Sequence, residues 1–136
     1  GEPITVYGDG SQSRCFGYVG DVVDALVKVA EHPDAPGQVF NIGSTEEVTI
    51  AELAELVKVT TGSHSEIIQV PYDKAYAEGF EDMPRRVPDI TKIRHLIGFE
   101  PRVSLEQILH IIVTYHKGRR PRHHLHIQPA ALAGSA

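Results

Sequence analysis

Arg14 and the Arg85-Arg86 pair are the residues of this chain best suited to chemistry on an anionic group. Arg14 follows the glycine turn Gly8-Asp9-Gly10 and shares a predicted strand face with Phe16 and Tyr18. A guanidinium there offers planar, forked donors that match a phosphate. The second cationic site lies far along the chain, in a long loop. The two sites would clamp a diphosphate if the fold brings them together. The spacing alone equally suits an ordinary surface or ion-paired arginine, and for Arg85-Arg86 a salt bridge to Glu81-Asp82.

Other reactive types carry weaker signals. Gly8-x-Gly10 begins like a dinucleotide fingerprint, but Ser13 stands where the third glycine belongs. A strand-like segment follows, not the helix that such a loop must open. A plain turn glycine or a close approach of backbone to ligand both fit. No Tyr-x-x-x-Lys pair occurs in the 136 residues. Cys15 has no paired His or Asn and reads as a small core residue, not a nucleophile. His123, His124 and His126 lie in a basic tail without carboxylate or thiol partners, which argues against a built metal site. No catalytic residue is therefore assigned.

These residues need a scaffold, and the chain is long enough for one domain with a core. Its 41% hydrophobic and 23% charged content suits a globular protein. The net charge of −5 gives no electrostatic reason to expect a nucleic-acid partner. One cysteine excludes an intrachain disulfide framework and suits a reducing compartment, so a cytoplasmic location is expected. No apolar run approaches the roughly 20 residues of a membrane span. The chain starts at Gly1 and enters a strand almost at once, which suggests a fragment.

The predicted elements are a strand over 4–7, an extended segment over 14–19 and a helix over 20–31. In that helix Val22, Leu26 and Val29 form one apolar line, and Val23, Val27 and Ala30 the next. A short strand over 39–42 follows. Thr49 and Glu52 form a capping box and Val48 and Leu53 a staple, with Gly62 as C-cap. A strand over 66–70 precedes a long loop over 71–88 with one helical turn near 74–77. Asp89 caps a short helix that stops at Gly98, and Ser104 with Gln107 opens the last helix, which runs to Gly118. Residues 1–118 form one unit, and the basic segment 119–136 reads as a disordered tail.

Gly8-Asp9-Gly10-Ser11-Gln12-Ser13-Arg14-x-Phe16-x-Tyr18-Val19-x-Asp21 resembles the nucleotide-sugar epimerases and dehydratases of the extended short-chain dehydrogenase/reductase family, with UDP-glucuronate decarboxylase closest in flavour. Val39 to Gly43 before Thr49 to Leu53, Arg86-Val87-Pro88-Asp89-Ile90-Thr91-Lys92, and Leu96 to Pro101 match further elements in order. Gly20 and Val87 depart from the pattern, which carries a polar residue and a lysine there. The matched stretch is about residues 2–117. The resemblance implies an α/β fold: a small mixed domain of short strands and about four helices, the C-terminal lobe of such an enzyme without its Rossmann domain.

The resemblance further implies that Arg14 and Arg86 contact the diphosphate of a UDP-sugar. Tyr7, Gln12 and Tyr18 would lie near the nucleoside, and Asp89 would contact ribose or cap its helix. In the whole enzyme NAD oxidises the sugar transiently at C4 while a tyrosine moves the proton. The matched half carries neither that tyrosine nor the dinucleotide loop, so no cofactor is expected on this chain. Weak ligand binding, no activity in isolation, and an apolar face that meets the Rossmann domain or a second copy are the corresponding expectations. A free-standing interaction domain that kept the fold and lost the ligand is the alternative. An anion-binding protein that uses the basic tail is a third.

Overall fold

The computed structural model describes residues 1–75 and 83–118. In chain order they form β1 (Ile4–Tyr7), β2 (Ser13–Cys15), α1 (Val19–Glu31), β3 (Glu47–Thr49), α2 (Ile50–Thr61), β4 (Ile67–Val70), the one-turn α3 (Tyr72–Ala75), α4 (Thr91–Ile97) and α5 (Leu105–Gly118). The expected mixed α/β architecture of short strands and four longer helices is present. The acidic residues Glu78, Glu81 and Asp82 and the segment 119–136, with its histidines, lie outside the described residues.

Two small sheets hold the layout. β1 pairs in parallel with β4, Ile4 opposite Ile67 and Tyr7 opposite Val70. β2 pairs antiparallel with β3, Ser13 opposite Thr49 and Cys15 opposite Glu47. On its other side β2 meets Arg85 through a single parallel bridge at Ser13.

The helix boundaries follow their local chemistry. Thr49 accepts the amide of Glu52 on its hydroxyl at 3.1 Å, and Glu52 accepts the Thr49 amide at 2.9 Å. The preceding turn completes this end of α2. The carbonyls of Gly10 and Gln12 accept the Ala51 and Ile50 amides, both at 3.0 Å. The first amides of a helix lack intrahelical partners, and here three of them are met by the chain itself. Gly62 closes α2 and Gly98 closes α4, both with left-handed backbone. Ser104 and Gln107 exchange the same pair of bonds at the start of α5. Replacing Thr49 by alanine is expected to cost about 1 kcal/mol, read as a lower urea midpoint at unchanged slope.

The core centres on Ala25, Ile90, Ile93 and Phe99, with Val29, Phe40, Ile42 and Ile97 packed around them. Sequence expectations about the strands need correction here. Residues 39–42 are extended but form no strand. Phe40 and Ile42 pack on the core, while Lys92 Nζ donates to the Val39 carbonyl and Asn41 Nδ2 to that of Asp89. Side chains thus replace a strand neighbour. The extended segment expected to reach residue 19 pairs only over Ser13–Cys15, the length of its partner β3, and α1 begins at Val19. Within α1 the buried residues are Asp21 and Ala25, and Val23, Leu26 and Val27 of the apolar lines stand half exposed. The helical turn expected near 74–77 overlaps α3 at Tyr72–Ala75, and residues 76 and 77 lie outside the described residues.

Asp21 is the polar anchor of this core. It is 5% exposed and accepts the amides of Arg102 at 2.9 Å and Val103 at 3.3 Å and the Arg102 Nε at 3.1 Å. These bonds tie α1 to the turn before α5. Burial pushes the Asp21 carboxyl up, but the bonds from Arg102 and Val103 outweigh it and hold it below the usual carboxylate value. Among the described residues no helix is long and apolar enough to cross a membrane.

Candidate functional site

Arg14 and Arg86 line the same cavity, about 490 Å³ in volume. Its walls come from β2, the first turn of α1, the segment 41–44 and the segment 86–89 before α4. The size lies within the range of small-ligand pockets. Sequence alone could not establish this meeting, because the two arginines belong to segments joined only through tertiary structure.

The β2 edge explains the arrangement. The Ser13 amide donates to the Pro84 carbonyl at 2.9 Å, which lays the 83–86 segment alongside β2. Arg14 Nη1 donates to the carbonyls of Ser13 at 2.7 Å and Met83 at 2.8 Å, so its guanidinium is braced by main chain. Arg85 forms a bidentate pair with Glu47, with Nε and Nη2 both at 2.9 Å. The expected partner of this arginine pair was the acidic run at 81–82, which lies outside the described residues. Arg86 makes no ion pair among the described residues.

Asp89 also lines the cavity. Its Oδ1 accepts the Thr91 amide at 2.9 Å, at the start of α4. The bond from Thr91, with Arg94 nearby, holds the carboxyl below its usual value. The N-cap of α4 is Ile90, not the expected Asp89, which stands one residue earlier and meets the Thr91 amide from there. Cys15 is a further wall residue. Burial, and then the Glu47 carboxylate, push its thiol above the ordinary value, opposite to what a nucleophile needs.

Tyr7, Gln12 and Tyr18 are not among the lining residues of this cavity. Gln12 is buried, and its Nε2 donates to the Tyr7 carbonyl at 3.0 Å, bracing the turn between them. Tyr7 is 42% exposed on β1. Tyr18 precedes α1, with its ring folded back over Gly20, where a Cβ would lie 2.5 Å from a ring carbon.

The glycine turn serves packing. Gly8 and Gly10 have φ of 72° and 76°, a region glycine enters freely. A Cβ on Gly8 would collide with the Tyr72 ring, and one on Gly10 would sit 2.9 Å from Ala51 Cβ and Val6 Cγ1. The turn leads into β2 and not into a helix. The described residues therefore do not fit a dinucleotide, whose pyrophosphate needs a strand, a glycine loop and a helix N-terminus in succession. Among them no cluster of His, Cys, Asp or Glu could hold a metal ion.

The profile of the GDP-mannose 4,6 dehydratase family matches residues 1–112. The chain belongs to this family.

The resemblance to nucleotide-sugar epimerases and dehydratases of the extended short-chain dehydrogenase/reductase type is borne out by the family's relatives. A UDP-N-acetyl-alpha-D-glucosaminuronate decarboxylase of Bacillus cytotoxicus is 44% identical over 107 residues, which cover 79% of this chain and 33% of that protein. Among solved structures, the UDP-glucose 4-epimerase of Thermotoga maritima with UDP-glucose superposes with a TM-score of 0.74 at 35% identity, over 85% of this chain and 35% of that one. The UDP-glucuronic acid 4-epimerase of Bacillus cereus, in complex with UDP-glucuronic acid and NAD, gives 0.73 at 27% identity, over the same shares. The family member described here spans about a third of the length of the curated relative it matches.

Proposed function

We propose that this chain is the substrate-binding lobe of a nucleotide-sugar decarboxylase, epimerase or dehydratase, and that Arg14 and Arg86 hold the diphosphate of a UDP-sugar. The observation that carries this reading is the shared cavity, which arginines from two distant segments line together. Each offers charge-assisted donors to phosphate oxygens. The β2 edge and its bonds to Pro84 and Met83 hold both before a ligand arrives. Asp89 fixes the start of α4 beneath the site, and its carbonyl holds Asn41. Tyr7, Gln12 and Tyr18 act through the shape of the turn and of the α1 entry.

Proton transfer and the chemistry of NAD belong to parts of the full-length enzyme that these residues do not provide. No step involving NAD is assigned to them, and the chain alone is inactive in this reading. The half-exposed apolar stripe Val19, Val23, Leu26 and Val27 on α1 supports a packing partner. We assign that partner to the Rossmann part of the enzyme, and the whole to a dimeric cytoplasmic protein. The same stripe favours the second reading, an interaction domain without a ligand.

Titration of the ¹⁵N-labelled chain with UDP separates the two. The substrate-lobe reading expects amide shifts at Cys15, Gly17, Asn41, Gly43 and Ser44, which line the cavity. Shifts confined to other surfaces, or none at millimolar UDP, overturn it.

A further inference from the structure

Glu47 is not among the residues that line the arginine cavity, yet it touches both segments that build it. Its Oε1 accepts the hydroxyl of Ser13 and, at 2.9 Å, Nε of Arg85. Its Oε2 accepts Arg85 Nε at 3.1 Å and Nη2 at 2.9 Å. Ser13 precedes Arg14 and Arg85 precedes Arg86. Successive side chains in extended chain point to opposite faces. Ser13 bridges Arg85 in parallel, so the next residues along, Arg14 and Arg86, are set beside each other. One carboxylate thus grips Ser13 and Arg85, and their chain neighbours Arg14 and Arg86 line the cavity.

We propose that Glu47 is a positioning residue for the anion site: by joining Ser13 to Arg85 it fixes the register in which Arg14 and Arg86 face one ligand. The inference rests on the diphosphate reading above. A one-residue slip of the 83–86 segment would send Arg86 to the opposite face and bring Arg85 inward. Main-chain bonds to Pro84 and Met83 permit neighbouring registers, because any carbonyl can accept them. The side-chain grip on Arg85 does not. The Arg85–Glu47 pair is largely solvent exposed, with side chains 68% and 33% accessible. Exposed pairs contribute little to stability, so a register role and a stability role predict different results.

The test compares Glu47→Ala, Glu47→Gln and Arg85→Ala, each alone and with Arg86→Ala, in the full 136-residue chain with UDP as probe. Glu47→Ala is expected to weaken UDP about five- to tenfold with a melting temperature within a few degrees of the parent. In the Arg86→Ala background the same change is expected to alter affinity less than twofold. An equal loss in both backgrounds, or no loss in the parent, overturns the positioning role and leaves the diphosphate reading intact. If Arg86→Ala itself changes nothing, the diphosphate reading fails, and this inference with it.

A ligand-free arm uses the rate at which iodoacetamide alkylates Cys15. The two charges act on this thiol with opposite signs, Glu47 upward and Arg85 downward. Purely electrostatic behaviour makes Glu47→Gln faster and Arg85→Ala slower. Loss of register uncovers β2 in both variants, so both become faster. Opposite signs overturn the inference.

Discussion

An Arg14→Ala/Arg86→Ala double variant is expected to lose UDP affinity by about 100-fold or more, while its binding of uridine stays within about threefold of the parent. Each arginine supplies hydrogen bonds to a charged group, worth about 1.5–3 kcal/mol apiece, and about 1.4 kcal/mol is a factor of ten. The two residues share one ligand, so their effects need not sum, and the lower end of the range is the safer figure. Uridine has no phosphate and reports on the rest of the pocket. Calorimetric titration of both ligands at two salt concentrations makes the comparison. The parent's UDP affinity should fall with salt and that of the double variant should not. A double variant that binds UDP as the parent does would show that the two guanidiniums line a cavity without serving it.

Asp21→Asn is expected to cost about 3 kcal/mol of stability at pH 7. The carboxylate is 5% exposed and receives two backbone amides and the Arg102 side chain. Hydrogen bonds to a charged group are worth about 1.5–3 kcal/mol, and a buried donor left unmet costs about 1–3. An asparagine oxygen can keep one or two of these partners but loses the charge, and its amide group then faces donors.

The pH dependence follows from the direction of the shift. The Asp21 carboxyl is held below its ordinary value in the folded chain, so the unfolded chain takes up its proton first on acidification. The contribution is complete above the unfolded value near 3.9 and is lost as pH falls through the folded value. Urea unfolding of parent and variant at pH 7, 5, 4 and 3 should show a gap that is constant down to about pH 5 and closes below pH 4. A gap unchanged at pH 3 would assign the effect to packing instead of charge.

Local chemistry was the legible part of this fold. Thr49-x-x-Glu52 and Ser104-x-x-Gln107 mark helix starts that the structure reproduces bond for bond. Gly62 and Gly98 mark ends, because a left-handed residue needs no partner beyond its own neighbourhood. Residues 39–42 look like a strand for the same local reason, but a strand also requires a hydrogen-bonding neighbour, which no local pattern supplies. The apolar stripe of α1 gives a helix correctly but assigns it no buried side. A stripe that faces a partner and one that faces the core have the same period.

The site divides in the same way. Arg14 and Arg86 stand out by residue type, and their meeting depends on the single bridge between Ser13 and Arg85. Asp21 reads in sequence as a first-turn acid favoured by the helix dipole. Its actual partners at 102 and 103 carry no local signal. Glu47 was legible in neither respect. Its neighbour Glu46 accepts the Leu105 amide at the start of α5, so two consecutive acids hold two different segments.

The completed first turn of α2 has a consequence for selectivity. A helix start with unmet amides attracts any phosphate, sulfate or carboxylate through main chain that mutation can scarcely alter. Here Gly10, Gln12 and Thr49 already occupy those amides. In the proposed diphosphate reading, discrimination among anions then falls to Arg14 and Arg86, two replaceable side chains, so the choice of ligand can drift by point substitution while the start of α2 stays as it is.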